Sequence, residues 1–164
     1  MNSITIKTPI GYLYISESAG KITQIEYKDK QCKPEGILTD ILLKAKQQLE
    51  EYFDGTRKTF ELPFEITGSD FTIKVLEELA KVPYGYTVTY SQLAKRCGNP
   101  KAARAVGTVM RKNKFVIVLP CHRVLPKGET IGNYSAGGAA NKEWLLLHER
   151  QNSSDGLLNI LNLI

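Results

Sequence analysis

A chain of 164 residues, 42% hydrophobic and 24% charged, has the composition of an ordinary soluble globule and is long enough to bury a core as one domain or as two small ones packed together. No secretory pattern and no apolar run long enough to cross a bilayer is present, so the expectation is a cytoplasmic protein (nucleoid-associated, or nuclear in a eukaryote) with no membrane partner. The net charge of +5 divides unevenly: residues 1–84 hold 11 Lys/Arg against 13 Asp/Glu, a net of −2, whereas residues 85–150 hold 11 against only Glu129, Glu143 and Glu149, a net of +8. On charge alone, the basic segment fits a polyanionic partner, nucleic acid first, as well as it fits a solvated surface.

In chain order, the first part reads as β. Ile4 to Ile6, Gly11 to Ser16 and Ile22 to Tyr27 are rich in strand formers, and Pro9-Ile-Gly11 and Ser18-Ala-Gly20 supply turns, which predicts a meander. Ile41, Leu42, Ala45, Leu49 and Tyr52 recur at helical spacing between Thr39 and Phe53, and Asp54-Gly55 ends that helix. Leu62 to Gly68 reads as a linker. A second helix starts near Ser69, with Phe71, Val75, Leu76 and Leu79 as its apolar stripe. Thr89-Tyr-Ser-Gln92 fits a capping box that opens a short helix closed by Gly98. Asn99 as cap and Pro100 as first residue open a third helix, Pro100 to Lys112, so two helices meet at a short turn in the layout of a helix-turn-helix.

That third helix has two faces. Ala102, Val106 and Val109 point inward, while Lys101, Arg104, Gly107, Thr108 and Arg111 share the outer side. Ala103, Ala105 and Gly107 keep the outer side small as well as basic, which suits a helix pressed into a nucleic-acid groove, although alanine also simply favours helix. Phe115 to Leu119 reads as a buried strand. A glycine-rich loop follows, then a final helix from Asn141 to Glu149. The tail, residues 151–164, begins polar and ends apolar, and either packs back on the domain or joins a partner.

Leu119-Pro-Cys-His-Arg-Val124 stands out between these elements. Cys121 is a packing residue, a metal ligand or a nucleophile. Adjacent Cys and His rarely reach one tetrahedral ion, and no second ligand pair accompanies them, so no metal is expected. Most lone cysteines pack, and that reading suffices for Cys32 and Cys97. Three cysteines without framework spacing fit free thiols in a reducing compartment. Cys121 differs in standing in a turn, beside His122, in a basic segment. A thiolate is the nucleophile, His122 is a candidate base, and Glu149 is the favoured carboxylate to orient it. A cysteine hydrolase uses the same pair, so the reaction type stays open on these residues alone.

VPYGYTVTYSQLA, GNPKAARAVG, MRKN, LPCHRV, GNYS and KEWLLLHE, between Phe71 and Glu149, closely resemble the O6-alkylguanine-DNA alkyltransferases (methylated-DNA–protein-cysteine methyltransferases) in order and near-family spacing. The resemblance implies an α/β protein. A small N-terminal antiparallel sheet with a helix (1–66) precedes a mostly helical domain with a winged helix-turn-helix (67–150). It implies a cofactor-free, single-turnover transfer of the alkyl group of O6-alkylguanine, and less efficiently of O4-alkylthymine, from a flipped base in double-stranded DNA to Cys121. The protein would act as a monomer bound in the minor groove. By the same resemblance His122 takes the thiol proton through a water, Glu149 orients His122, and Asn113 braces the active-site turn. Tyr90 crowds the target phosphate and donates toward the guanine ring, and Arg104 fills the vacated base stack. Tyr134 and Ser135 wall the base pocket, with Val124 and Met110 lining it. Lys101, Ala103, Gly107, Thr108, Arg111 and Arg123 join Tyr90 and Arg104 as DNA-contacting residues.

Two features depart from the family pattern: Val75-Leu76 stands where many members carry a tryptophan, and the loop from Tyr134 to Lys142 is one residue longer. Rival readings are a lesion-binding module that leaves the alkyl group in place, a Cys-His hydrolase, and a sequence-specific transcription factor. The presence of Cys121 opposes the first, since such modules replace the acceptor, and the helix-turn-helix in a basic half opposes the second. The third would bind a palindromic site.

Overall fold

The computed structural model describes residues 1–128 and 130–153. Glu129 and most of the apolar tail, residues 154–164, lie outside the described residues. The chain forms two compact units, one of residues 1–65 with 114–116 and the other of the remaining residues.

The first unit is a three-stranded antiparallel meander of β1 (Asn2–Thr8), β2 (Gly11–Ser18) and β3 (Lys21–Lys28), with helix α1 (Asp40–Asp54) against it. Alternation sets the register: Ile6 faces Leu13, and Ile15 faces both Ile4 and Ile25. Ile6, Leu13, Ile15, Ile22 and Ile25 are buried with Leu42, Ala45, Leu49 and Tyr52 of α1, which is the period-two face of a sheet meeting the period-3.6 stripe of a helix. The β2–β3 hairpin turns on Ala19 and Gly20, both at positive φ (52° and 78°), the twist a two-residue hairpin loop requires. Thr39 caps α1 by accepting from the Leu42 amide, and Gly55 ends it in the left-handed region. Gln48, although buried, is satisfied from both sides: its Nε2 donates to the Glu61 carbonyl (3.2 Å) and its Oε1 accepts from the Glu61 amide (2.9 Å). The segment read as a linker also pairs, through the bridge from Ile22 to Phe64.

The second unit holds α2 (Asp70–Ala80), β4 (Val88–Thr89), α3 (Tyr90–Arg96), α4 (Ala103–Arg111), a 3-10 turn at Cys121–Arg123, β5 (Val124–Leu125) and α5 (Ala139–Asn152). Ser69 caps α2. The capping box at α3 is complete: Thr89 Oγ1 accepts from the Gln92 amide (3.0 Å), and Gln92 Oε1 accepts from the Thr89 amide (2.8 Å). Between α3 and α4 the turn is longer than the sequence implied. The Ala102 amide donates to the Asn99 carbonyl (3.0 Å), so Asn99-Pro100 begins a β-turn, with proline at its favoured second position, rather than a helix. Helix α4 therefore starts at Ala103, without a side-chain cap.

Phe115 to Leu119 is not a strand. Two residues pair with β3: the Ile25 amide donates to the Lys114 carbonyl (2.7 Å) and the Val116 amide to the Ile25 carbonyl (3.2 Å). Ile117 then turns the chain at φ 73°. A β-branched residue there stores about 1–3 kcal/mol of strain. The run is apolar because Phe115, Val116, Ile117 and Leu119 are buried, and burial alone does not fix a strand.

Candidate active site and nucleic-acid interface

The turn at Ile117 delivers Cys121 to a tight geometry. The Cys121 amide donates back to the Leu119 carbonyl (2.8 Å), and the Arg123 amide donates to that of Pro120 (2.9 Å). Val124 and Leu125 then pair in parallel with Val88 and Thr89, which ties the cysteine turn to the start of α3, where Tyr90 stands. Asn113, just past α4, donates its Nδ2 to the Leu119 carbonyl (2.8 Å) and to Cys121 Sγ (3.2 Å). One amide thus fixes the turn and touches the sulfur. Burial pushes the Cys121 thiol up, while the Asn113 hydrogen bond and the Lys142 charge pull it back. The resting group is a thiol, and it needs a base.

His122 is completely buried. Its Nε2 lies 2.6 Å from Glu149 Oε2. A carboxylate can only accept, so Nε2 carries the hydrogen. Nδ1 has no hydrogen-bond partner among the described protein atoms and can accept a proton. Burial lowers the His122 pKa, against the upward pull of Glu149, so the ring is neutral. Burial alone would raise the Glu149 carboxyl, but His122 and the Arg123 guanidinium hold it well below the ordinary carboxylate range.

Arg123 corrects an expectation. The family resemblance implies a DNA contact, but Arg123 is only 6% exposed, and each of its three side-chain nitrogens donates inside the protein. Nε donates to Glu149 Oε1 (2.8 Å), Nη2 to Glu149 Oε2 (3.1 Å) and Nη1 to the Val82 carbonyl (2.7 Å). Arginine's fixed fork matches a carboxylate, and here it is turned inward to Glu149 rather than outward to a phosphate.

Cys121 lines a cavity of about 610 Å3 together with Tyr90, Gly107, Met110, Arg111, Tyr134 and Ser135. Val124, expected there, is instead fully buried in β5. The phenols of Tyr90 and Tyr134 are both raised, chiefly by burial, so they stay protonated donors; the Tyr134 hydroxyl has no partner among the described protein atoms. Gly132, also on the cavity wall, sits at φ 80°, and a Cβ there would come within 2.8 Å of Pro126.

Lys142 is the residue that sequence reading missed. Its side chain is fully buried. Nζ donates to the Asn133 carbonyl (3.2 Å) and lies 5.8 Å from the centre of the Tyr90 ring. Burial pulls its pKa down to about 8, against an upward pull from Cys121. The available signal was spacing: Lys142, Leu145, Leu146 and Glu149 form the buried stripe of α5, so a lysine at the first of these positions faces inward.

Helix α4 buries Val106, Val109 and Met110. Arg104 and Arg111 are exposed, as is Lys101 just before the helix; Ala103, Gly107 and Thr108 are half-buried. Arg111 Nη2 donates to Thr108 Oγ1 (2.9 Å). Among the described residues, none of Lys95, Arg96, Lys101, Arg104 and Arg111 is held in an ion pair. No group of three or more His, Cys, Asp or Glu side chains among the described residues is placed to hold a metal, and no helix is long and apolar enough to cross a membrane.

A helix-turn-helix whose second helix carries cations outside any ion pair among the described residues, together with a cavity lined by a buried thiol, defines a nucleic-acid-binding protein with a candidate nucleophile. The chain belongs to the 6-O-methylguanine DNA methyltransferase family: residues 70–151 match that family's DNA binding domain and residues 1–66 its ribonuclease-like domain. It is 39% identical to the constitutive methylated-DNA–protein-cysteine methyltransferase of Bacillus subtilis over 154 residues, covering 89% of this chain and 93% of that one. Among solved structures it is similar to Mycobacterium tuberculosis O6-methylguanine methyltransferase, with a TM-score of 0.82 and 30% identity over 95% of this chain and 96% of that one. The Mycobacterium tuberculosis protein in complex with DNA is matched with a TM-score of 0.81, at 30% identity over 95% and 97% of the two chains.

Proposed function

We propose that this chain is a methylated-DNA–protein-cysteine methyltransferase that moves the alkyl group of O6-alkylguanine, and less efficiently of O4-alkylthymine, from duplex DNA to Cys121, once per molecule. The observation that carries this reading is a thiol bonded to Asn113, on the wall of a cavity whose lining includes Gly107 and Arg111 of the basic helix α4. A stacked base cannot reach such a thiol, so the damaged nucleotide must flip out, which costs least at a weakened pair.

Helix α4 would lie in the minor groove. A Cβ at Gly107 would meet only ordinary contacts, the nearest Arg111 Nη1 at 3.7 Å. Packing within the chain therefore does not require glycine there, although it weakens a helix by about 1 kcal/mol relative to alanine. A closely approaching backbone does call for it. Arg104 would occupy the space left by the flipped base, and Lys101, Ala103, Thr108 and Arg111 would meet the strands around it.

In the transfer, the thiol proton passes to His122 Nδ1, directly or through a water. The sulfur forms a bond to the alkyl carbon as the carbon–O6 bond breaks, and the electron pair goes to the guanine. Tyr90 donates toward the ring, and the proton held by His122 balances the charge. The step needs no co-reactant. Because a thioether is a poor leaving group, the protein is consumed. The three free cysteines suit a reducing compartment, the cytoplasm or a eukaryotic nucleus, and a monomer suffices for the chemistry.

The test is stoichiometry. Protein is mixed with increasing excess of a duplex carrying one O6-[3H-methyl]guanine. Label on protein should plateau at one methyl per molecule. Continued turnover would contradict single use, and tight binding without transfer would leave a lesion-recognition module.

A further inference from the structure

The steps above employ Cys121, His122 and Tyr90 but give Arg123 no part. We propose that Arg123 is a positioning residue whose permanent charge keeps His122 neutral, so that Nδ1 remains open to the thiol proton. This takes the Cys121–His122 pair of the proposed function as its starting point.

The geometry fills Glu149 completely. Oε1 accepts from Arg123 Nε (2.8 Å) and the Gly85 amide (3.2 Å), and Oε2 accepts from His122 Nε2 (2.6 Å) and Arg123 Nη2 (3.1 Å). A carboxylate offers about four acceptor sites, and all are taken. Arg123 is itself immobilised by the Val82 carbonyl and by the Tyr84 ring, 5.7 Å from its guanidinium carbon.

Burial does most to lower the His122 pKa, Glu149 opposes it, and Arg123 acts on the side of burial. Glu149 and Arg123 cancel. A proton added to His122 would leave one net positive charge in a site buried from water, with Lys142 contributing a second. Without Arg123, the same proton would neutralise Glu149 and would bind at higher pH. The groups acting on His122 are Glu149 and Lys142 from α5, Arg123 from its own turn, in which Cys121 directly precedes His122 in sequence, and Tyr134, whose ring stands edge-on at 6.4 Å, from the loop before α5. Of these only Arg123 is a cation that never titrates in the accessible range.

The experiment follows carboxamidomethylation of Cys121 by iodoacetamide against pH, read on the Cys121 peptide by mass, in the wild type, Arg123→Lys and Arg123→Met. In Arg123→Met the acid limb should move up by about one to three pH units, a tenfold or greater loss of rate at any pH below it. Arg123→Lys, which keeps the charge and loses the fork, should stay within about half a unit of the wild type. A limb that stays in place in Arg123→Met while the rate falls equally at every pH would overturn the proposal. Should Arg123→Met not fold, 15N NMR of the wild-type His122 ring decides: the neutral Nε2–H tautomer at pH 7 is expected, and an imidazolium would overturn it. Iodoacetamide needs no DNA, so a wild type that takes no methyl from O6-methylguanine would sink the proposed function while leaving this result readable.

Discussion

Glu149→Gln is the most informative single change to stability. Glu149 is 1% exposed and Arg123 6% exposed. The substitution keeps the volume, removes the charge, and turns one acceptor oxygen into a donor aimed at donors. Arg123 is left as an uncompensated buried cation, which costs about 3–5 kcal/mol, against a total of about 5–15 kcal/mol for a typical domain. The assay is urea unfolding at pH 7, followed by the fluorescence of Trp144, the single tryptophan. It sits on α5 with its ring stacked on His148 at 4.8 Å, so it reports on the second unit. Glu149→Leu combined with Arg123→Met should recover more than half of the loss, because apolar replacement of a whole buried pair is often neutral. The sign with pH is also fixed. The Glu149 pKa is depressed on folding, so its contribution is present above its ordinary value of 4.5 and is lost as pH falls below that toward the folded value. That acid loss should shrink in Glu149→Gln. A cost below about 1 kcal/mol at pH 7 would refute the reasoning, since it would mean that Arg123 has water or another partner.

Other changes probe other contacts. Asn113→Ala removes the donors to the Leu119 carbonyl and Cys121 Sγ; methyl transfer should slow by about ten- to a hundredfold, and stability should fall by about 1–3 kcal/mol, measured by single-turnover quench and urea unfolding. Lys142→Met removes the buried ammonium beside the thiol, so the pH at which Cys121 ionises should rise, read from thiolate absorbance; an unchanged ionisation would deny the electrostatic coupling. Arg104→Ala should weaken repair of duplex DNA more than reaction with free O6-benzylguanine, and equal losses would remove Arg104 from the base stack. Duplex affinity should fall steeply with rising salt as phosphate contacts release counterions; a flat response would rule out the basic face of α4 as the contact.

Local chemistry made much of the fold legible. Strand alternation, the Thr39 and Ser69 caps and the Thr89–Gln92 capping box are short-range signals, and each is present in the structure at its residue. Cys121, His122 and Glu149 stand out by residue chemistry, and Asn113 joins them only through the family resemblance. What stayed hidden depended on tertiary context. Phe115 to Leu119 looked like a strand because both a strand and an irregular buried turn are apolar, and nothing in Ile117 announces a positive φ. Pro100 favours a helix start and a β-turn alike; the Ala102–Asn99 hydrogen bond decides between them. Arg123 stands among the DNA contacts by resemblance alone, and the partner that holds it inside, Glu149, is 26 residues away in sequence. Lys142 carries no motif of its own, and only its place on the buried stripe of α5 turns it inward.

The central claim is that Cys121 accepts the alkyl group. Its most direct test is an intact mass of the protein after excess duplex containing O6-methylguanine, followed by fragmentation of the modified peptide. One added methyl per molecule, on Cys121 and on neither Cys32 nor Cys97, is the predicted result. An unchanged mass, or a methyl on any other residue, would contradict it.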